Sequence, residues 1–170
     1  MNKEYFNKFF SILLDDCREG AEVWGERLTD ASKRAYVRTV FSFIEGNSHR
    51  LKLLWLECHK EGYIKLSEKE LNCINGFKIE EGGQKKIIKS AFKDSIKSSF
   101  SIASNAFNIK NPLITTGDDW RNFSRALEIR HRLTHPKTIE DLDVSIQNMQ
   151  VVESACEFYR KATIELVTKL

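Results

Sequence analysis

Proline is nearly missing from this chain, with two in 170 residues, and its eight glycines gather in no tract. That argues against a disordered tail or a Pro/Gly-rich linker, so residues 1–170 are expected to form one domain. Long apolar runs are lacking as well. The patch from Phe9 to Leu14 is closed by Asp15 and Asp16. It is too short for a signal peptide or a membrane span, so a cytoplasmic protein with no membrane partner is expected. The four cysteines, Cys17, Cys58, Cys73 and Cys156, form no Cys-x-x-Cys pair and have no histidine at ligand spacing. Neither a zinc site nor a disulfide framework is indicated, and buried reduced thiols are expected. A Gly-rich phosphate loop and a His-Glu-x-x-His helix are also absent from the sequence, so no metal and no cofactor are expected. Nor does charge of one sign dominate. The balance of 27 Lys and Arg against 24 Asp and Glu leaves +3, which permits a nucleic-acid partner without requiring one.

What the chain has in quantity is helical periodicity. Tyr5, Phe6, Phe9, Phe10, Leu13 and Leu14 predict a first amphipathic helix running to about Leu28. Thr29 and Asp30 cap a long second helix, with Val37, Val40, Phe41, Ile44, Ser48, Leu51, Trp55 and Cys58 inward and Gly62 as its stop. Ser67 and Glu70 have capping-box spacing and predict a short helix to Asn75. After the punctuation of Glu81-Gly82-Gly83, a fourth helix is expected from Ile87 to Phe107, a fifth from Asp118 to Leu133, and a sixth from Ile139 to Leu170. The sixth has Ile146 and Ile164 on its apolar side, and Thr138 as its cap. No segment shows convincing period-two alternation, so the fold class is all-α, a single-domain up-and-down helical bundle.

The one stretch that proposes a chemistry is Glu128-Ile129-Arg130-His131-Arg132-Leu133-Thr134-His135-Pro136-Lys137. Arginine is a permanently charged fork suited to phosphate, and histidine can take or give a proton near neutral pH, so the two together suit phosphodiester cleavage without a metal. Arg125 and His131 form a second pair of similar spacing, and with ten arginines and four histidines such pairs arise by chance. Context favours Arg130 and His135. Pro136 pushes His135 out of the α region, so the helix stops at or before it. On a continuous helix, five positions amount to about 140° and the side chains diverge; a break after Thr134 lets the chain turn and bring them together. A basic side chain capping the end of a helix is the competing explanation.

Two further groups stand out. Glu45 and His49 lie one turn apart on the second helix, where the carboxylate can orient the imidazole; a solvated polar helix face has the same appearance. Lys85 or Lys86, Lys89, Lys93 and Lys97 recur every four positions, a stripe able to hold an RNA backbone, with Lys137 beside the motif as a further contact. Lysines opposite a core also recur at this spacing.

The corner motif, together with the long second and sixth helices, resembles the HEPN superfamily, small all-α domains many of which are metal-independent ribonucleases. The family signature is an arginine, a polar residue, a few further positions and a histidine, often followed by proline. Here it reads Arg130-His131-Arg132-Leu133-Thr134-His135-Pro136, and the likeness covers residues 118–170 most closely. It implies a homodimer whose two motifs meet in one composite site cutting RNA by attack of the 2′-hydroxyl, with Arg130 and His135 catalytic and His131, Glu45 and His49 supporting. A toxin or host-defence effector, held in check by an antitoxin protein, is one setting that fits. Lys137 stands where some members carry a nucleotide-modified tyrosine, which puts that route of regulation in doubt. Two alternatives stay open: a catalytically silent domain that binds RNA or nucleotide, and a protein-interaction module.

Overall fold

Thr29 turns the first long stretch of chain back on itself. Helix α1 (Lys3–Arg27) ends where Leu28 takes a φ of 50°, and α2 (Asp30–Lys60) begins with the Thr29 hydroxyl accepting the Ser32 amide at 3.1 Å. The computed structural model describes residues 3–80, 84–87 and 91–169. Gly62, at φ +81°, follows the end of α2. Helix α3 (Glu68–Ile74) carries the expected capping box of Ser67 and Glu70. Helices α4 (Phe92–Ala106), α5 (Gly117–Thr134) and α6 (Ile146–Thr168) complete an all-α, up-and-down bundle. Helices α1 and α2 pack along one another, as do α5 and α6, while α2 also meets α4, α5 and α6.

The sequence expectation differs from the structure in three places. A small antiparallel hairpin, β1 (Phe77–Ile79) with β2 (Lys85–Ile87), lies between α3 and α4 in register Phe77 to Ile87. Strands of three residues are too short to display an alternation, so the pattern held no strand signal. Ile87 therefore sits in a strand, and α4 starts at Phe92. Glu81-Gly82-Gly83, Ile88 and Lys89 lie outside the described residues. The sixth helix also starts later than Ile139. Lys137 and Thr138 donate their amides to the Asp141 carboxylate at 2.8 and 3.0 Å, which holds that stretch in a turn, so Thr138 is not the cap. After a single 3-10 turn (Glu140–Leu142), Ser145 caps α6 through a box with Asn148. Asn in place of the usual Glu or Gln hid this signal. Finally, Ile146 and Ile164 are 58% and 38% exposed instead of inward.

Burial of α2 organises the core. Phe43, Ile44, Leu51, Leu54 and Trp55 are wholly buried along it, facing Ile96 and Phe100 of α4, Phe123 of α5 and Tyr159 of α6. Each such side chain removed from water stabilises the fold by about 1.5–3 kcal/mol. Tyr159 is the meeting point, edge-on to Phe43 at 5.9 Å and to Phe100 at 6.1 Å. Its hydroxyl shares a 2.8 Å hydrogen bond with Ser48, and burial pushes its pKa up. Cys17, Cys58 and Cys156 are buried and Cys73 is half-buried, and none of the four is in a disulfide.

Replacing Tyr159 by Phe strands the buried Ser48 hydroxyl without filling or emptying the core. The expected cost is about 1–3 kcal/mol, read as a lower urea midpoint with an unchanged slope.

Candidate functional site

The last turn of α5 carries the motif. The Thr134 hydroxyl donates to the Arg130 carbonyl at 2.8 Å, so the backbone stays helical through Thr134 and leaves the helix only at His135 (φ −130°, ψ 59°), before Pro136. The break therefore comes too late to undo the divergence of about 140° between positions 130 and 135. Among the described residues no hydrogen bond, ion pair or ring contact joins Arg130 to His135, so the expected convergence is not seen within the chain.

Each has a different partner. Arg130 reaches α2, where its guanidinium meets the Glu45 carboxylate at 2.6 Å, both about a third exposed. His135 lies past the helix end with its ring 5.3 Å from that of His131, both exposed. Glu45 gives its carboxylate to Arg130, and no bond links it to His49, which is exposed one turn further along α2. The Lys137 side chain is exposed beyond the corner. The surface thus offers a guanidinium–carboxylate pair between α5 and α2 and, separately, two imidazoles side by side at the end of α5.

Arg132, which the sequence reading gives no role of its own, holds the corner in place. It donates to the carbonyls of Glu140 and Asp141 at 3.1 and 3.3 Å and to Asn148 Oδ1 at 3.0 Å. Arg34 donates to the Leu142 carbonyl at 3.2 Å, and Lys33 to that of Val144 at 3.1 Å. Three basic side chains from α2 and α5 therefore tie down the strap between His135 and α6. Hydrogen bonds from the Lys137 and Thr138 amides hold the Asp141 carboxyl below its usual range. These partners lie far apart in sequence, and no local spacing announces them. An open groove of about 350 Å³ lies between α5 and α6, lined by Arg125, Ile129, Arg132, Gln147 and Val151. Neither Arg130 nor His135 lines it, so this groove is not centred on the motif.

Of the lysine stripe, Lys85 and Lys86 lie in β2 rather than on the helix, Lys89 is outside the described residues, and Lys93 and Lys97 lie on α4. Both ammonium groups stand 5.0 Å from the centre of the Trp120 ring, and Lys93 donates to Ser124 at 2.6 Å. Trp120 is buried and is also the platform that gathers these two charges; a tryptophan at a helix start carries no sequence sign of that. Among the described residues no group of three or more His, Cys, Asp or Glu side chains is placed to hold a metal ion, and no helix is long and apolar enough to cross a membrane. Comparison with protein-family models, curated proteins and solved structures finds no match.

The ion pair of Arg130 is solvated, so Arg130→Ala should cost under about 1 kcal/mol of stability. Arg132→Ala, which frees carbonyls and an amide, should cost about 1–3 kcal/mol; chemical denaturation of the two variants compares them directly. Because the Asp141 pKa is depressed on folding, its contribution is present above the unfolded carboxylate value of about 4 and is lost as pH falls through the folded one. Amide exchange at Lys137 and Thr138 should therefore speed up over that acid range relative to the intrinsic rate, and Asp141→Asn should show the fast exchange already at neutral pH.

Proposed function

We propose that this protein is a HEPN-like endoribonuclease, cutting RNA without a metal by attack of the 2′-hydroxyl at a site shared by two subunits. The observation that carries the reading is the exposed end of α5, where Arg130 reaches Glu45 and the His131 and His135 rings stand side by side. A neutral His135 from one subunit removes the 2′-hydroxyl proton, and a protonated one from the other gives a proton to the leaving 5′-oxygen. The 2′-oxygen bonds to phosphorus as the 5′-oxygen bond breaks, leaving a 2′,3′-cyclic phosphate and a 5′-hydroxyl. Arg130, positioned by Glu45, stabilises the added negative charge on the phosphoryl oxygens. DNA is bound but not cut, because it lacks the nucleophile.

Support for a second subunit comes from Ile139 on the strap and Ile146 at the start of α6, 80% and 58% exposed. Covering them on association would bring two motifs together. Support for an RNA partner comes from Lys93 and Lys97 over Trp120, with Lys137 at the corner. The homodimer, the RNA substrate and a growth-arresting or defensive role checked by an antitoxin belong to this proposal, as does a place in the cytoplasm.

A second reading keeps the fold and drops the chemistry: Arg130 is already neutralised by Glu45, as it would be in a domain that only binds RNA. The purified protein is expected to cleave single-stranded RNA in EDTA, with Arg130→Ala and His135→Ala each lowering the rate at least about a hundredfold. Full activity in either variant removes the assignment. Salt-dependent RNA binding with no cleavage at any protein concentration favours the silent domain instead.

A further inference from the structure

On α4, Ser95, Ser98, Ser99 and Ile102 fall at i, i+3, i+4 and i+7, so one side of the helix sets three hydroxyls where apolar residues would normally pack. They face a small cavity of about 150 Å³ closed by Lys52 of α2, by Cys73 and Ile74 of α3, and by Gly76. Lys52 is the only charged side chain described in its lining. It donates to the Ser95 hydroxyl and has no carboxylate partner among the described residues. Loss of solvent lowers its pKa. Ser99 is buried and accepts the indole N–H of Trp55 at 3.2 Å, which leaves its own proton free to be donated.

This cavity adjoins a wider groove of about 490 Å³ between α3 and α4, with Cys73, Ser98 and Ile102 common to both. Lys69 and Lys97 stand on the wider groove; the acid there, Glu70, is engaged in its capping box with Ser67. A cation half-withdrawn from water without a counter-ion costs stability. An anion entering the cavity would remove that cost. Hydroxyl and ammonium donors here converge from two helices, an arrangement matched to the several directions of a tetrahedral oxyanion rather than to a planar carboxylate.

We propose that the Lys52, Ser95, Ser98 and Ser99 cavity binds a phosphoryl group, either free phosphate or the phosphate of a small ester whose body occupies the adjoining groove. Lys52 lies seven residues along α2 from Glu45, about 10 Å of helix rise. The site is separate from the α5 motif and independent of the ribonuclease reading.

The test is thermal unfolding of the whole protein with inorganic phosphate, adenosine monophosphate, acetate and sodium chloride, at matched ionic strength. The expected result is a Tm rise of several degrees with millimolar phosphate or the nucleotide, and none with acetate. A lower half-saturation for the nucleotide assigns the ester, and equal values assign the free ion. Lys52→Met should unfold at a higher temperature than the wild type, because a buried charge is gone, yet gain nothing from phosphate. Ser98→Leu, which fills the cavity and leaves Lys52 in place, should likewise lose the response. A phosphate-induced rise that is equal in Lys52→Met, or matched by acetate in the wild type, overturns the proposal. So does the absence of any rise in the wild type.

Discussion

The hydrogen bond between Ser48 and Tyr159 sits in the middle of a largely apolar contact between α2 and α6. Apolar contact is directionless and tolerates sliding; a buried hydroxyl pair at 2.8 Å does not. It fixes the register of α6 on α2, and because α5 packs along α6, it also fixes where the end of α5 lies over α2. Glu45 is one turn from Ser48 on that helix, so the meeting of Glu45 with Arg130 depends on this alignment. The polar groups of the candidate site are thus set by the core more than by their own attraction, which in solvent is weak.

The parts legible in sequence are those governed by neighbours in the chain. Thr29, Gly62, and the Ser67–Glu70 box mark helix ends through bonds that span at most four residues, and each acts as the spacing implies. Pro136 ends α5 for the same reason. What escaped depends on groups distant along the chain or on runs too short to show a period. The hairpin has three residues per strand. The strap is shaped by Lys33, Arg34 and Arg132, of which two lie about a hundred positions away. Ile146 and Ile164 fit an apolar stripe in pattern, yet both are exposed.

The candidate site divides in the same way. Arg130, His135, Glu45, Lys93 and Lys97 were chosen by residue type and spacing, but neither can say which residues meet. The structure pairs Arg130 with Glu45, rather than with His135, and Lys93 with Ser124. The hydroxyl-lined hollow beside Lys52 has a visible trace, three serines at helical spacing on the inward side of α4. Serine is common enough on solvated helix faces that the trace means little until the facing helix is known.

The three cations that secure the strap reach it through its backbone oxygens, and none of them forms an ion pair with the Glu140 or Asp143 carboxylate. Glu140 and Asp143 are therefore turned outward beside the motif, unneutralised by those anchors. Uncompensated negative charge thus lies on one flank of the strap, while the positive charge gathered over Trp120 lies at the opposite end of α5, so the two signs are parted along the length of one helix.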